Sequence, residues 1–240
     1  METNLYLVSV GIGDIDNITL KAVKTIESAD IVFAMDFVKE QFQDYLTNKE
    51  VYDAGHGLFT PMGRRGKDET EVLTEEDKIR KIIRQAVFAG KTVAILDFGD
   101  PTIYSPQAGY LKEFADLNPV IIPGISSFNA ASAALGKELS NSYDAAIVLT
   151  KAVKTETGKI AKLAQTKSTM ILFTMNMDLP NVVSELKLHY EGDTPVAIVS
   201  AAGFKDRENI IKATLDTILD VVSNDDLPWE HLLYVGDFLK

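Results

Sequence analysis

Cysteine is absent from this chain of 240 residues, and histidine and tryptophan are scarce, with three and one residues respectively. Without cysteine, disulfides, thiolate metal sites and cysteine nucleophiles are excluded. The three histidines, His56, His189 and His231, lie far apart along the chain, and their spacing matches no metal-binding pattern. We therefore expect no metal site.

Positive charge and long apolar runs are also scarce. The 24 lysines and arginines are outnumbered by 35 acidic residues, which gives a formal net charge of -11. Binding to a nucleic-acid backbone depends on cationic side chains that neutralise phosphates, so we expect no nucleic-acid partner. No apolar run is long enough to span a bilayer, and the first residues lack the basic segment of a secretory signal. We expect a cytoplasmic protein without a membrane partner.

The residues that are abundant indicate an ordinary folded α/β protein. Hydrophobic residues make up 46% of the chain and charged residues 25%, as in globular domains. Short β-branched runs alternate with amphipathic stretches, which predicts βα units on mainly parallel or mixed sheets. Residues 5–10 and 92–96 are predicted strands, and residues 19–28 and 74–89 are predicted helices.

The same alternation continues in the second half and predicts two lobes. We place the boundary after the short strand near residue 120, which gives an N-terminal lobe of residues 1–122 and a C-terminal lobe of residues 123–240. In the second lobe the predicted strands are residues 145–149, 170–173, 195–199 and 232–235, and the predicted helices are residues 157–165, 179–190 and 214–222.

A glycine-rich turn follows the first predicted strand, with the sequence Ser-Val-Gly-Ile-Gly-Asp at residues 9–14. Glycine allows a backbone to approach a ligand closely. A dinucleotide-binding turn needs a third glycine where this chain has Asp16, so that fingerprint fails. Taken alone, Gly11 and Gly13 are also compatible with a tight strand-to-helix turn that binds nothing.

Two further motifs identify the turn more specifically. Asp-Phe-Gly-Asp-Pro-Thr-Ile-Tyr occupies residues 97–104, and Ile-Pro-Gly-Ile-Ser-Ser-Phe-Asn-Ala-Ala occupies residues 122–131. In this order the three motifs resemble the tetrapyrrole methylase family, and the likeness extends to Leu-Phe-Thr-Met at residues 172–175. The resemblance implies two α/β lobes that meet at a cofactor cleft, S-adenosylmethionine as the cofactor, and a homodimer.

The resemblance also assigns cofactor contacts residue by residue. The positions that match the family's contacts are Ile12, Phe98, Gly99, Asp100, Ile103, Ser126, Ser127, Met175 and Ala202. The chain departs from the family pattern at Ser9 and Ser105, where glycine is common. Family members that methylate uroporphyrinogen carry a proposed base and acid where this chain has Met35 and, approximately, Gly55. That reaction is therefore disfavoured, although the adjacent Asp36 and His56 offer substitutes.

The catalytic residue stays open among Asp100, Asp36 and Tyr104. Asp100 follows a predicted strand in the region where α/β folds bind ligands, but an aspartate before proline also caps turns. Tyr104, four residues later, either faces the cleft or packs in the core. These alternatives are not separated by the sequence pattern.

One basic cluster stands out in the acidic chain. Arg64 and Arg65 lie in a glycine-rich stretch with His56, and a tetrapyrrole with several carboxylates needs such partners. The alternative is a solvated loop without a ligand.

The favoured function is methyl transfer from S-adenosylmethionine to a carbon of a tetrapyrrole or precorrin ring. A sulfonium methyl group is already a strong electrophile, so the protein must mainly align the reactants, exclude water and accept a proton. The alternatives are a methyltransferase of the same fold with a protein, peptide or RNA acceptor, and a non-catalytic cofactor-binding module.

Overall fold

A computed structural model describes residues 3–140, 146–155, 157–175 and 177–240. The chain divides into two compact units, of which the first ends at Ser126 and the second begins at Ser127. This division lies beyond the predicted end at Ile122, because Gly124 still packs against Ser9 of the first unit. Both units combine helices with a five-stranded sheet, which confirms the predicted α/β class.

The sheet of the first unit is parallel throughout, with the strand order β3-β2-β4-β1-β5. The strands are β1 (Leu5–Ser9), β2 (Ile31–Ala34), β3 (Glu50–Asp53), β4 (Val93–Asp97) and β5 (Val120–Ile122). β4 lies between β1 and β2, and all five of its residues are buried. Such continuous burial is typical of a parallel strand that is covered on both faces.

Helices cover both faces of this sheet. They are α1 (Leu20–Ser28), α2 (Asp36–Gln41), α3 (Glu69–Phe88) and α4 (Ala108–Glu113), with 3-10 helices at Ile15–Asn17, Gln43–Tyr45, Pro61–Arg64 and Ala115–Leu117. Successive residues of β4 point to opposite sides: Ile95 packs with residues of α3 and α4, and Ala94 packs with residues of α1 and α2. The layers therefore follow from the period of two along each strand.

The longest of these helices, α3, begins before the predicted residue 74. The Asp68 side chain accepts hydrogen bonds from the backbone amides of Thr70 and Glu71, at 2.8 and 3.1 Å, and so caps the helix one turn earlier. Buried Val72 extends the apolar face into that turn. Within the described ranges, no helix combines the length and apolar character that crossing a membrane requires.

The second unit contains a mixed sheet with the order β6-β7-β10-β8-β9. Its strands are β6 (Ile147–Val153), β7 (Thr169–Met175), β8 (Pro195–Ser200), β9 (Asn209–Thr214) and β10 (His231–Val235). β6 and β7 are parallel, and the other pairs are antiparallel. The helices are α5 (Ser127–Leu135), α6 (Lys159–Ala164), α7 (Leu179–Leu186) and α8 (Ile218–Val221), with 3-10 helices at Asn224–Asp226 and Asp237–Leu239.

The sequence pattern misassigns one segment of this unit. The helix predicted over residues 214–222 is wrong at its start, because Thr214 ends β9 and α8 spans only Ile218–Val221. β9 itself has no predicted counterpart. It is an edge strand with no fully buried residue, so it lacks the apolar run that marks the central strands.

A buried carboxylate joins α7 to the start of α6. Glu185 is only 8% exposed and accepts hydrogen bonds from the amides of Gly158 and Ala161, at 2.8 and 3.0 Å, and from the Asn181 side chain at 3.2 Å. Burial opposes ionisation of this carboxyl, but the hydrogen bonds together outweigh burial and leave its pKa below the ordinary value. The charged form is therefore part of the folded state.

Replacing Glu185 with glutamine is expected to lower the free energy of unfolding at pH 7 by roughly 2 kcal/mol, because amides now bonded to a carboxylate lose their charged acceptor. The pKa is lower in the folded state, so this stabilisation is present above the unfolded pKa of about 4.3 and is lost as the pH falls through the folded pKa. Urea unfolding at pH 7 and pH 3 measures the change. Glu191→Gln, at an exposed ion pair with Lys167, is the control and should have little effect. An equal loss at both pH values would contradict this account.

Candidate functional site

The first two glycine motifs meet at the carboxyl edge of the first sheet. β1 and β4 are neighbours that end together, with Ser9 paired to Asp97. Beyond the strands, Gly11 and Gly99 form an antiparallel bridge in which the Gly99 amide donates to the Gly11 carbonyl at 2.7 Å. Ligands of parallel α/β sheets bind outside this edge. Motifs that lie nearly ninety residues apart in the sequence thus form one structure.

The third motif reaches the same point through Ser9. This side chain is fully buried; its hydroxyl donates to the Gly99 carbonyl and accepts from the Gly11 amide at 3.0 Å. Gly124 packs so closely against Ser9 that a Cβ at position 124 would overlap the serine side chain. The serine that departs from the family pattern therefore connects all three motifs.

Gly99 leaves space for a ligand beside this junction. Its φ is +94°, a conformation that favours glycine, and apart from its chain neighbours no described residue has a heavy atom within 4 Å of the position that a Cβ would occupy. Its amide and carbonyl are engaged by Gly11 and Ser9, so the turn is fixed. A rigid turn with no side chain is suited to close backbone approach by a ligand.

Asp100, the favoured acid, caps the turn that follows β4. Its Oδ1 accepts from the Thr102 amide at 2.7 Å and from the Thr102 hydroxyl at 2.5 Å. One oxygen of the Asp100 carboxylate therefore has the capping role that was the alternative to ligand binding. Tyr104 is 39% exposed, so the alternative of a buried core aromatic is wrong. Ile103, between them, is half-buried.

The remaining first-unit candidates lie on neighbouring strand ends. Ile12 and Phe98 are half-buried in the two glycine turns, and the Phe98 ring packs edge-on against Phe37 with centroids 5.2 Å apart. Asp36 begins α2 just after β2 and forms an ion pair with Lys39 at 2.7 Å, with its side chain 83% exposed. These residues share the carboxyl edge with the glycine motifs.

The basic residues and His56 belong to one loop after β3. Gly63 folds back onto Gly57, whose carbonyl accepts its amide at 3.1 Å. Arg64 pairs at 3.3 Å with Glu76 of α3, which is 2% exposed, so this arginine has a structural partner. Arg65 and His56 are exposed. The loop thus keeps some of its polar side chains available.

Asp97 is a residue of the site that sequence reasoning missed. It ends β4 with 0% exposure, and neither carboxylate oxygen has a hydrogen-bond partner of acceptable geometry among the described residues. Burial raises the pKa of Asp97 to about 7; the Asp100 charge adds to the rise, while Ser105 and the Phe98 amide oppose it. The available signal was an acid at the end of the apolar run Val-Ala-Ile-Leu.

The other matched positions are distributed between the units. Ser126 is 2% exposed at the end of the first unit. Ser127 begins α5, and Ala202 is 7% exposed after β8, next to Ala201 with a φ of 48°. Met175 ends β7, and its side chain lies outside the described part of the structure. Among the described residues, no group of three histidines or acids is arranged to hold a metal.

Two C-methyltransferases are similar in sequence to nearly the whole of this chain. The chain is 32% identical to a cobalt-precorrin-4 C(11)-methyltransferase of Methanocaldococcus jannaschii, over 98% of this chain and 88% of the relative. It is 26% identical to a uroporphyrinogen-III C-methyltransferase of Priestia megaterium, with 98% of each chain covered. Both alignments extend over nearly the whole sequence.

A solved structure agrees with the sequence relatives. The X-ray structure of a cobalt precorrin-4 methyltransferase, described as a cobalamin biosynthetic enzyme, matches with a TM-score of 0.77 and 25% identity, over 98% of this chain and 95% of that one. The family profile of the tetrapyrrole (corrin/porphyrin) methylases matches residues 4–219. The prediction from the three motifs is confirmed: this chain belongs to the tetrapyrrole methylase family.

Proposed function

We propose that this protein is a methyltransferase that transfers the methyl group of S-adenosylmethionine to a carbon of a tetrapyrrole ring of the precorrin type. The observation that carries the proposal is the junction of three glycine motifs around Ser9 at the carboxyl edge of the first sheet. Relatives named as C-methyltransferases align along 98% of the chain, which supports the same chemistry here.

The residues at this edge fit the proposed cofactor. Gly99 leaves open space next to a fixed backbone, and the Asp100 carboxylate gives the edge an acidic character that suits a sulfonium cation. The proposed first-unit contacts are Ile12, Phe98, Gly99, Asp100, Ile103 and Ser126. In the second unit, Ser127, Met175 and Ala202 stay predictions that rest on the family resemblance.

The cofactor, when bound, supplies an activated methyl group, so the protein's own task is alignment and control of water and protons. In the proposed mechanism Asp100 holds the turn through Thr102, which keeps Gly99 in place. Asp36 and Tyr104 are exposed at the same edge and remain the candidates for receiving the proton that leaves the ring.

The proposed acceptor is recognised through its carboxylates. Arg65 and His56 are exposed in one loop after β3, and guanidinium groups bind carboxylates bidentately. Arg64 contributes less, because Glu76 already pairs with it. Met35 and Gly55 replace the polar pair of members that act on uroporphyrinogen, so a precorrin is favoured over uroporphyrinogen.

Replacing Gly99 with valine is expected to weaken binding of S-adenosylhomocysteine at least about tenfold, which corresponds to ~1.4 kcal/mol. The new side chain would fill the space beside the glycine turns. Isothermal titration of the purified chain measures the affinity. The matched control is Gly90→Val, because Gly90 also has a positive φ, of 78°, and open space around a Cβ, but precedes β4 at the opposite edge.

Both variants strain a left-handed backbone, so a similar loss of stability is expected in each. An equal loss of affinity in both would show that strain, not occupation of the edge, is responsible. No binding of S-adenosylhomocysteine by folded wild-type protein would overturn the proposed function. If the cofactor binds, labelled S-adenosylmethionine should transfer its methyl group to a precorrin and not to uroporphyrinogen.

A homodimer and a cytoplasmic location belong to the same proposal: the family resemblance implies the dimer, and the composition of the sequence favours the cytoplasm. Light scattering on the purified chain at micromolar concentration measures the oligomeric state, and a monomer would contradict the proposed dimer.

A further inference from the structure

Asp97 is a buried acid at the edge of the first sheet to which the proposed chemistry gives no task. It occupies the last position of the central strand β4 and is fully buried, and within the described ranges neither carboxylate oxygen has a hydrogen bond of acceptable geometry. Its own carbonyl accepts from the Val10 amide at 2.9 Å, which fixes the strand end against the first glycine turn. A polar group in such a position is costly unless it serves a purpose.

The groups that act on this carboxyl come from the turn after β4. They are the Ser105 side chain, the Asp100 carboxylate and the Phe98 amide, and none of these described groups is a cation. Buried Gln107 also lies in this segment; its Nε2 donates to the Gly55 carbonyl at 2.8 Å, while its Oε1 has no partner among the described residues. The described groups that act on this carboxyl thus include two hydrogen-bond donors and a second acid, but no cation.

Titratable groups of the neighbouring elements have other partners or are exposed. From α3, Glu76 accepts from the Phe59 amide and pairs with Arg64. From α4, the Tyr110 hydroxyl donates to the Ala54 carbonyl at 2.7 Å. Other titratable groups near the ends of the neighbouring strands are Asp14 and Asp16 after β1, Asp36 and Lys39 after β2, which pair with each other, and the exposed Asp53 and His56 at and after the end of β3.

Burial in this environment favours the neutral acid, so Asp97 holds a proton in much of the free protein near neutral pH. A cation that settles at the adjoining turns reverses this preference, because Coulomb attraction is strong where water is excluded. The proposed cofactor carries such a cation on sulfur, and its demethylated product does not.

We propose that Asp97 is a proton-linked counter-charge for the cofactor: it is protonated in the free protein and releases that proton to solvent when the sulfonium of S-adenosylmethionine binds at the adjoining glycine turns. This inference rests on the proposed function. The balance is one proton transferred from the carboxyl to water or buffer, with no bond of the cofactor changed. Asp97 is a positioning residue in this scheme, because its side chain is covered and acts through its charge.

The consequence is a difference between cofactor and product that depends on pH. Binding of S-adenosylmethionine requires ionisation of Asp97, so its affinity should rise about tenfold per pH unit below pH 6.5 and level off above pH 7.5. The affinity of S-adenosylhomocysteine, whose sulfur is neutral, should change little over the same range. The product would thereby dissociate more readily relative to the cofactor than it would from a site of equal shape without this carboxylate.

The test is isothermal titration of the whole chain at pH 6 in two buffers that differ in ionisation enthalpy, without a methyl acceptor so that no reaction occurs. S-adenosylmethionine is expected to release about one proton, and S-adenosylhomocysteine close to none. In Asp97→Asn the release should disappear and the affinity for S-adenosylmethionine should become independent of pH. Asp116→Asn, an exposed carboxylate paired with Arg84, is the matched control and should release the proton as the wild type does.

Equal proton release with both ligands, or release that persists in Asp97→Asn, would overturn the inference and leave the proposed function standing. Failure of both ligands to bind folded wild-type protein would overturn the two together. If Asp97→Asn does not fold, as judged by circular dichroism, the wild-type affinities for S-adenosylmethionine and S-adenosylhomocysteine are compared between pH 5.5 and 8. The ratio of the two affinities is expected to rise with pH, and a constant ratio would overturn the inference.

Discussion

Asp97→Asn is expected to raise the free energy of unfolding above pH 7 by roughly 4 kcal/mol, which is three pKa units at 1.36 kcal/mol each. Burial raises the pKa of Asp97 to about 7, against about 3.9 in an unfolded chain. At alkaline pH the folded protein therefore holds a buried carboxylate, for which the described residues supply no cationic partner. An asparagine of similar shape carries no charge and removes that cost.

The direction of the pH dependence follows from proton counts. Between pH 4 and pH 7 the folded state holds the Asp97 proton and the unfolded state does not, so wild-type stability falls as the pH rises through this window. Below pH 4 both states are protonated, and the variant should gain little. Urea unfolding of both proteins at pH 4, 5.5 and 8 measures this growing difference.

Asp116→Asn is the control for this prediction, because the pKa of the Asp116 carboxyl is shifted in the opposite direction to that of Asp97. The hydrogen bond from Arg84 holds the pKa of Asp116 below its ordinary value, so removing that charge should weaken the fold slightly at neutral pH instead of stabilising it. A gain for Asp97→Asn that is the same at pH 4 and pH 8 would show that packing, not charge, is the cause.

The sequence predicts the strand and helix order well where one face of an element is apolar. β4 is found because Val-Ala-Ile-Leu forms a continuous apolar run, and the glycine motifs that follow β1 and β4 identify the family. The start of α3 was missed because its cap, Asp68, precedes a polar first turn. β9 was missed because an edge strand that is only half-buried has no apolar signature.

The site is less predictable because its features depend on distant partners. Arg64 pairs with buried Glu76, twelve positions away, so it is less available to a ligand than Arg65, although the two arginines look equivalent in the sequence. The charge state of Asp97 depends on how deeply the side chain is buried. The neighbouring residues in the sequence do not predict the extent of that burial. The role of Ser9 appears only when Gly11, Gly99 and Gly124 are brought together.

This junction connects folding with binding. The backbone of Gly99 is held by Ser9 and Gly11, so a disturbance at Ser9 moves the turn beside which a ligand is proposed to lie. A site built on strand ends and fixed turns is expected to be rigid before the ligand arrives, which lowers the entropic cost of binding. Stability and cofactor affinity should therefore change together when the junction is altered.

Gly124→Ala is expected to lower the free energy of unfolding by about 3 kcal/mol, in the upper part of the range for overpacked cores. Its φ does not require glycine, but the new methyl group would overlap the buried Ser9 side chain. The Cβ and Oγ atoms of Ser9 cannot move away from the new methyl group, because the hydroxyl is hydrogen-bonded to both Gly99 and Gly11. Binding of S-adenosylhomocysteine should weaken in parallel.

Ser9→Gly is the compensating change, since it removes the side chain that the methyl group would meet. Alone it should cost about 1 to 2 kcal/mol through the lost hydroxyl bonds, but in its presence Gly124→Ala should cost less than half of its single-variant value. Urea unfolding of the four proteins gives the coupling energy, expected to be at least about 1.5 kcal/mol in the compensating direction. Additive effects would show that position 124 is limited by something other than Ser9. A double variant that regains cofactor affinity would link the overlap itself to the loss of binding, because the Ser9 bonds are missing from that protein as well.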